Sequence, residues 1–290
     1  MITIFTPTYN RAQLLPVLYD SLVKQDSLDF EWLIVDDGST DNTSEIVKSF
    51  SCNLFPIRYF YKDNGGKHTA YNLGISLAQG DFFICVDSDD YLIPNSISLM
   101  QESITKMHPS DIGIVFPQVN NSKINNKNWT KIHGKSIDII DTTRLYRIKE
   151  TAILIKTQIL RKYSFPTIDE RYCPESVLYN QMIKGGHFLA INKGFYVSEY
   201  QVGGLSYNIR KMFLNNPNCF ILDQNIKYRI YGKYNFLTRV FCRAICIIEI
   251  NAICIKRRIR ILKKTPSRFS SVVLFIPSFL FMLIKYRRCY

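Results

Sequence analysis

FFICVDSDDYL, at residues 82–92, joins a short apolar run to a cluster of acidic side chains. The apolar part, residues 82–86, is typical of a buried strand. Asp87, Asp89 and Asp90 follow directly, and carboxylates this close together repel one another unless a cation lies between them. Oxygen ligands suit Mg²⁺ or Mn²⁺, and open α/β sheets bind ligands at the carboxyl ends of their strands. The stretch therefore predicts a metal site beside a phosphate-bearing ligand or, more simply, an acidic loop that caps the next helix.

Upstream of this stretch, apolar runs alternate with helical spacing of apolar residues. The predicted elements are a strand at 2–6, a helix at 11–25, a strand at 32–35, a helix through 46–47 that Ser39 or Asp41 can cap, a strand at 57–61, a helix through 70–77, and the strand at 82–86. This β-α-β-α-β-α-β order predicts an α/β fold with a mainly parallel, Rossmann-like sheet flanked by helices. Further on, residues 112–116 suit another strand, and the Asn-rich segment 120–128 reads as a surface loop.

Each of the four predicted strands ends in a polar loop rich in Gly, Pro, Asn and Asp. Any one of these loops fits ordinary turn and cap chemistry. Four of them are less easily explained in that way, because the carboxyl ends of parallel strands lie at one edge of a sheet. The side chains collected at that edge are Tyr9, Asp36, Asp37, Asn64, Lys67, Asp87 and Asp89. The carboxylates can accept hydrogen bonds from a base or a sugar, and Lys67 can contact a phosphate.

Four motifs resemble those of the inverting family 2 glycosyltransferases with the GT-A fold, of the bacterial surface-polysaccharide type. They are FTPTYNR at 5–11, IVDDGSTDNT at 34–43, NGGKHTAYNLG at 64–74 and CVDSDD at 85–90. Their order and spacing match as well as their letters, and the resemblance covers about residues 1–210. It implies a nucleotide-sugar donor, most simply UDP-linked, bound by Pro7, Tyr9, Asn10, Asp36, Asp37, Asn64, Lys67, Asp87 and Ser88. It also implies that Asp89, with Asp87, ligates Mn²⁺ or Mg²⁺.

Transfer of a sugar to a hydroxyl needs a base that takes the acceptor proton. Pro174 favours a helix start that would aim Glu175 from the first turn. In the family an acidic pair, often Glu-Asp, stands at such a helix start, and Ser176 departs from that pattern. Glu175 is the preferred candidate, with Asp169 and Glu170 as alternatives; more simply, Glu175 only favours the helix dipole. Downstream, YQVGGLS at 200–206 resembles the family's flexible loop that closes over the donor.

Positive charge is concentrated in the last quarter of the chain. Residues 1–210 hold 21 Lys and Arg against 22 Asp and Glu, whereas residues 211–290 hold 16 against only Asp223 and Glu249. Apolar residues dominate 236–262, and the apolar run 272–284 is too short and too interrupted by Pro277 for a transmembrane span. We expect two domains, a GT-A domain at 1–210 and a basic helical extension at 211–290.

Apolar helices flanked by Lys and Arg suit the inner face of a membrane, so the extension predicts peripheral attachment to the cytoplasmic face of the cell membrane. This fits a lipid-linked or growing glycan acceptor. One alternative is a tail that packs into the core or forms a homo-oligomer. Nucleic-acid binding would suit the charge but not so much aliphatic surface, so we expect no nucleic-acid partner.

The eight cysteines include no CxxC pair, and the four histidines do not cluster with them. This favours reduced structural thiols and no zinc site. Because a strand is predicted to start at Ile2, we expect no N-terminal signal peptide. Among rival functions, a sugar nucleotidyltransferase should carry a Gly-rich basic loop after its first strand, and PTYNRAQ at 7–13 is not one. A membrane-bound scaffold with a decayed site is disfavoured because only Ser176 departs from the family pattern.

Overall fold

A computed structural model of the chain describes residues 1–50, 53–119, 127–198 and 209–287. Its strands are β1 (Ile2–Thr8), β2 (Phe30–Asp36), β3 (Ile57–Tyr61), β4 (Phe82–Cys85), β5 (Tyr91–Leu92), β6 (Asp111–Val119), β7 (Ser136–Ile137), β8 (Thr151–Lys156), β9 (His187–Ala190) and β10 (Tyr196–Val197). Its α-helices are α1 (Leu15–Val23), α2 (Thr43–Ser49), α3 (Lys67–Leu77), α4 (Ser96–Ile104), α5 (Trp129–Ile132), α6 (Ile139–Arg144), α7 (Thr157–Leu160), α8 (Ser176–Tyr179), α9 (Ile209–Asn215), α10 (Pro217–Ile230), α11 (Phe236–Lys256), α12 (Ile261–Lys264), α13 (Arg268–Val273) and α14 (Phe275–Lys285). The Asn-rich segment 120–126 and YQVGGLS at 200–206 lie outside the described residues.

The sheet has the strand order β3-β2-β1-β4-β8-β6-β10-β5, with β9 beside β6 and β7 beside β9. The four strands predicted first, β3, β2, β1 and β4, pair in parallel, which confirms the predicted α/β fold. Strand β8 then runs antiparallel to both β4 and β6, so the far half of the sheet is mixed. Because each predicted strand ends at the same edge, their terminal loops start from neighbouring positions.

Strands β1 and β2 are buried along their whole length, as expected where both faces of a parallel sheet are covered. One buried position carries a charge, since Glu31 lies within β2. Its carboxylate accepts hydrogen bonds from Thr3 Oγ1 (2.6 Å), from the Arg58 guanidinium (2.8 Å) and from the backbone N–H of Gln79 (2.6 Å). The charge is therefore paired and hydrogen-bonded, which is the condition under which a buried carboxylate is tolerated.

Helix α1 begins later than the apolar spacing predicts, and α2 has Asn42 in its N-cap position in place of the predicted Ser39 or Asp41, because the loops before them contact each other. Helix α1 begins at Leu15 instead of residue 11, with Pro16 in its first turn. The backbone N–H of Ala12 instead donates to Asp41 Oδ2 (3.2 Å). Helix α2 begins at Thr43 with Asn42 in the N-cap position, and Asp41 accepts from the Thr43 N–H (3.1 Å). The loop after β1 is thus hydrogen-bonded to the loop after β2 before either helix begins.

The chain divides into two compact units. The described residues of Met1–Phe165 and Met182–Gln201 form the first, and those of Pro166–Gln181 and Val202–Tyr290 form the second. The predicted boundary at residue 210 differs from this division, because the segment 166–181 is bonded to the C-terminal helices. Glu170 accepts hydrogen bonds from the backbone N–H groups of Asn218 and Cys219, both 2.8 Å, at the start of α10. A carboxylate in this place caps the helix and complements its dipole.

The second unit has its own apolar core, formed where α10, α11 and α14 pack together. Ile250, Ile253, Met282 and Tyr286 are among its buried members.

Throughout the described ranges, no helix is both long and apolar enough to cross a bilayer. The six cysteines within these ranges are free thiols.

Candidate functional site

The loops after β1 and β2 are joined by Asn10. Its backbone has φ 51°, a left-handed conformation that Asn tolerates better than most residues. Its side-chain oxygen accepts from the backbone N–H of Thr40 (2.8 Å), and its own N–H donates to Ser39 Oγ (2.8 Å). Tyr9 precedes this joint with 47% of its surface exposed, while Pro7 is buried within β1. Asn10 therefore holds the loops after β1 and β2 together, and the exposed ring of Tyr9 stands directly before it in the chain.

Asp36, the last residue of β2, is buried and hydrogen-bonded at both oxygens. Oδ1 accepts from the backbone N–H of Ser39 (2.8 Å), and Oδ2 accepts from the Tyr59 hydroxyl (2.7 Å). Burial, with the hydrogen bond to Asp36 and its negative charge, raises the pKa of Tyr59 above its ordinary value. The phenol remains a donor, and Asp36 fixes the end of its own strand to β3.

Asp37 organises the loop that follows β3. Its Oδ1 accepts from Lys62 Nζ (2.6 Å) and from the backbone N–H of Gly65 (3.0 Å), and its Oδ2 accepts from the N–H of Gly66 (2.7 Å). In return, Asn64 Nδ2 donates to the backbone oxygen of Asp37 (2.8 Å). The loops after β2 and β3 thus share a network of direct hydrogen bonds. Nucleoside binding by Asp36, Asp37 and Asn64 remains a prediction.

An ion pair connects the loops after β3 and β4. Lys67, the first residue of α3, places Nζ 2.7 Å from Asp87 Oδ1. Arg11, from the loop after β1, lies 4.0 Å from Asp89 Oδ2. All four strand-end loops are therefore connected by side-chain contacts at one edge of the sheet, as the sequence predicts.

The acidic loop after β4 brings three carboxylates together. Asp87, Asp89 and Asp90 each offer an oxygen, and these oxygens lie within 4.8 Å of one another. Burial, together with the negative charge of Asp87, raises the pKa of Asp89, and the charge of Arg11 opposes this. A divalent cation would relieve this repulsion, so the donor set fits a hard metal ion. Ser88, between the first two carboxylates, is buried.

Sequence reasoning missed Tyr196, which contacts the acidic loop from β10. Its hydroxyl donates to Asp90 Oδ2 (2.6 Å) and accepts from the backbone N–H of Asp87 (3.0 Å). Tyr196 lies 106 residues after Asp90 and outside every motif, so no local signal pointed to it. Arg11 and Lys62 were also missed as contacts, although they stand in or beside the quoted motifs.

Glu175 belongs to the second unit and occupies the N-cap position of α8, which begins at Ser176. Its side chain is partly exposed. Ser176 Oγ donates to the buried carboxylate of Asp223 on α10 (2.7 Å), so α8 is attached to α10 directly after Glu175. Of the two alternatives, Asp169 is exposed, and Glu170 caps α10. The role of Glu175 as a base remains a prediction.

Known proteins resemble this chain in sequence. Chondroitin synthase of Pasteurella multocida (strain Pm70) is 37% identical over 106 residues, which are 37% of this chain and 11% of that protein. The poly(ribitol-phosphate) beta-N-acetylglucosaminyltransferase TarS of Staphylococcus aureus (strain Mu50) is 29% identical over 162 residues, 52% of this chain and 28% of that protein. The chain thus spans only part of the length of these relatives.

Solved structures share the fold. TarS residues 1–349 in complex with UDP-GlcNAc match with a TM-score of 0.62 and 19% identity, over 99% of this chain and 89% of that one. The mannosyltransferase PcManGT from Pyrobaculum calidifontis, in complex with GDP-Man and Mn²⁺, matches with a TM-score of 0.57 and 15% identity, over 98% and 83%.

A family model, described as glycosyl transferase family 2, matches residues 3–170. The matched region includes all the nucleotide-binding and metal-binding candidates, from Pro7 to Asp89, and ends before Glu175. It covers more than half of the chain and contains the four connected loops. The chain therefore belongs to glycosyl transferase family 2.

Proposed function

We propose that this glycosyltransferase moves a sugar from a UDP-linked donor to a hydroxyl of a lipid-linked or growing surface-glycan acceptor, with inversion at the anomeric carbon. The observation that carries the proposal is the connection of four strand-end loops through Asn10, Asp37 and Lys67. These loops bring cationic side chains and carboxylates to one edge of the sheet, as a nucleotide diphosphate bound with a metal requires. The relatives' names and the UDP-GlcNAc bound to TarS support the donor and acceptor classes.

The metal is Mn²⁺ or Mg²⁺ in this proposal, held by Asp87 and Asp89. The close carboxylate oxygens and the raised pKa of Asp89 support it, because burial and charge repulsion make this set unfavourable without a cation. When bound, such a cation supplies positive charge that stabilises the departing diphosphate. Lys67 and Arg11 bring further positive charge beside the same carboxylates. The Mn²⁺ in the PcManGT complex is consistent with this choice.

Glu175 is the proposed base that takes the proton from the acceptor hydroxyl. The structure weakens one alternative, because Glu170 accepts from the Asn218 side chain (2.9 Å) as well as from two backbone N–H groups of α10. A carboxylate whose two oxygens already accept hydrogen bonds from a helix N-terminus is committed to that cap, which disfavours it as the base. Asp169 is exposed, whereas a base works best where water is excluded.

Peripheral attachment to the cytoplasmic face of the membrane is proposed for the second unit. Its helices expose many large apolar side chains, which monomeric soluble proteins rarely do over a large area. These exposed residues are Phe236, Leu237, Val240, Phe241 and Ile245 on α11, Leu262 on α12, and Phe269, Val272, Val273, Phe275, Ile276, Phe279, Leu280, Leu283 and Ile284 on or beside α13 and α14. Phe269 is 80% exposed and Leu237 is 78% exposed.

The charge of the second unit supports an anionic membrane surface as the partner. Both carboxylates of residues 211–290 are paired within the unit, Asp223 with Lys227 and Glu249 with Lys285. By sequence, that segment holds 14 more Lys and Arg than Asp and Glu. Each such residue near anionic lipid contributes about 1 kcal/mol to binding. Apolar side chains combined with this charge suit an interfacial position.

Activity is tested by measuring nucleotide release from UDP-, GDP- and dTDP-linked sugars, with and without Mn²⁺. We expect release of UDP that depends on Mn²⁺, stops with a chelator, and is lost in Asp89→Ala. Asp26→Ala, which removes an exposed carboxylate from the same unit, should behave as the wild type. Release of pyrophosphate would instead indicate a nucleotidyltransferase, and no turnover with any donor would indicate a scaffold. Retention of the anomeric configuration in the product would contradict inversion.

Membrane attachment is tested by flotation of the full chain with phosphatidylcholine vesicles that contain or lack phosphatidylglycerol. We expect flotation with the anionic vesicles, weakened by salt, and lost in the triple variant Phe236→Ser, Leu237→Ser, Phe241→Ser. A matched control replaces three exposed apolar residues of the first unit, Val17, Leu28 and Leu54, with Ser. No flotation of the wild type, or equal flotation of both triple variants, would contradict attachment through this surface.

A further inference from the structure

Tyr196 connects the two ends of the acidic loop with a single hydroxyl. The phenol accepts from the backbone N–H of Asp87 (3.0 Å) and donates to Asp90 Oδ2 (2.6 Å). Tyr196 is 2% exposed, so this hydroxyl makes its contacts away from solvent. The loop itself turns back through a hydrogen bond from the N–H of Asp90 to the backbone oxygen of Asp87 (3.1 Å). The same four residues are therefore closed by one backbone bond and one side-chain bridge.

The position of the Tyr196 hydroxyl is set by the sheet. Strand β10 pairs antiparallel with β5, with Tyr196 opposite Leu92, and parallel with β6, with Tyr196 opposite Gln118. The residue before it, Phe195, packs its ring against Phe116 at 4.8 Å and is buried. Because β10 is paired on both sides, the position of the Tyr196 hydroxyl is fixed. Its hydrogen bonds to Asp87 and Asp90 therefore restrict the conformation of the acidic loop more than the turn alone would.

The three carboxylates differ in exposure. The Asp87 side chain is 38% exposed and that of Asp89 is 24% exposed, while Asp90 is 8% exposed and directs an oxygen to Tyr196. A carboxylate that accepts a short hydrogen bond from a phenol has one oxygen already committed. Asp87 and Asp89 are the two more open carboxylates, and a cation that Asp87 ligates would share that carboxylate with Lys67, which lies 2.7 Å from Oδ1.

We propose that Tyr196 is a positioning residue for the metal site, and that Asp90 serves as the acceptor for Tyr196 and not as a third metal ligand. This rests on the metal-dependent function proposed above. The bridge fixes the turn so that Asp87 and Asp89 present their carboxylates together. Groups that orient metal ligands in this way typically change metal affinity by about 10–100-fold when they are removed.

The test is Mn²⁺ binding to the full chain in the presence of UDP, followed by the electron paramagnetic resonance signal of free Mn²⁺. Tyr196→Phe removes the hydroxyl and keeps the ring, and we expect Mn²⁺ affinity to fall by about 10-fold or more. Asp90→Asn keeps a side-chain oxygen that can accept from Tyr196, so its loss should be clearly smaller than that of Asp89→Asn. Tyr19→Phe, whose ring stacks on Phe50 in the same unit, is the control and should bind as the wild type.

Each outcome decides the question. Wild-type affinity in Tyr196→Phe would overturn the positioning role, and a loss in Asp90→Asn equal to that in Asp89→Asn would make Asp90 a ligand. If Tyr196→Phe fails to fold, Asp90→Ala removes the Asp90 end of the bridge and should also lower Mn²⁺ affinity, by more than Asp90→Asn does. A double variant of Tyr196→Phe and Asp90→Ala should bind Mn²⁺ no more weakly than Tyr196→Phe alone, because Tyr196→Phe already removes the hydrogen bond to Asp90. If the wild-type chain binds no Mn²⁺, the proposed metal site at Asp87 and Asp89 is wrong, and so is the positioning role of Tyr196.

Discussion

The Nζ atom of Lys67 lies 2.7 Å from the Oδ1 atom of Asp87, and this ion pair joins the loop after β3 to the loop after β4. The two residues come from separate strand ends. Their pairing shows that the two loops converge. It also places the positively charged ammonium group of Lys67 where the proposed diphosphate would be bound.

Lys67→Met keeps the aliphatic length of the side chain and removes its charge. We expect the KM for the donor to rise by about 10-fold or more, because hydrogen bonds to charged groups contribute about 1.5–3 kcal/mol. Unfolding free energy should change little, since the pair is partly exposed. Steady-state kinetics with varied donor checks this, with Lys106→Met, from the surface pair with Glu102, as the control. An unchanged donor KM in Lys67→Met would contradict the role of this lysine.

Gly38 holds the loops after β2 and β3 in close approach. Its φ is +85°, and a Cβ atom there would lie 2.6 Å from the backbone nitrogen of Asn64. Gly38→Ala should weaken donor binding and lower the unfolding free energy by more than backbone strain alone, which costs about 1–3 kcal/mol. Gly134→Ala separates the two effects, because Gly134 has φ +77° but no atom from beyond its two chain neighbours would lie within 4 Å of the added Cβ. Equal losses of stability in the two variants would show that the loops do not need this approach.

Glu31 makes the stability of the first unit sensitive to acid. Burial alone would raise the pKa of Glu31, but hydrogen bonds from Thr3, Arg58 and the Gln79 N–H outweigh it, so the net pKa is lowered. A lowered folded-state pKa contributes stability above the unfolded-state pKa, and this contribution is lost as the pH falls through the folded-state pKa.

We therefore expect Glu31→Gln to lower the unfolding free energy near pH 7 by about 3 kcal/mol, with a smaller difference from the wild type at acidic pH. Urea denaturation across pH measures both effects. Glu102→Gln is the matched control, because Glu102, like Glu31, forms ion pairs, with Lys106 and Lys193, but its side chain is exposed. A constant difference between Glu31→Gln and the wild type at all pH values would refute the linkage.

Glu175 and Glu170 provide a matched pair for the identity of the base. Glu175→Gln should lower kcat by about 10²–10⁴-fold with little change in donor KM, because a base acts on the acceptor proton in the transition state. Glu170→Gln should mainly lower the stability of the second unit, by about 1 kcal/mol, because it weakens the cap of α10. Measuring kcat and thermal unfolding for both variants distinguishes the roles. A loss of kcat confined to Glu170→Gln would assign the base to that residue instead.

The sequence was most informative where chemistry is local. The strand at 57–61 was predicted with the bounds that the structure has, and the loops after β1 to β4 were predicted because motifs of eleven residues or fewer carry their turn and cap residues. The late start of α1 was not predictable from apolar spacing, because the backbone N–H of Ala12 donates a hydrogen bond to Asp41, which lies in the loop after β2.

Contacts between distant segments were missed for the same physical reason. Tyr196 meets Asp90 only because β10 lies beside β5 in the sheet, and nothing near Tyr196 in the sequence records that neighbour. Likewise, the segment 166–181 joins the second unit through contacts of Glu170 and Ser176 with α10, which lies more than 40 residues further along the chain. Patterns over short windows predict elements and their ends, whereas pairing across the sheet needs the three-dimensional structure.

In the proposed function, the four loops and a cation at Asp87 and Asp89 jointly hold a nucleotide diphosphate. Isothermal titration of UDP into the full chain, with Mn²⁺ and then with a chelator, tests this most directly. We predict that UDP binds with Mn²⁺ present, and that both the chelator and Asp89→Asn weaken binding by about 10-fold or more. UDP binding of equal strength with and without metal and in Asp89→Asn, or no UDP binding under any of these conditions, would contradict the account.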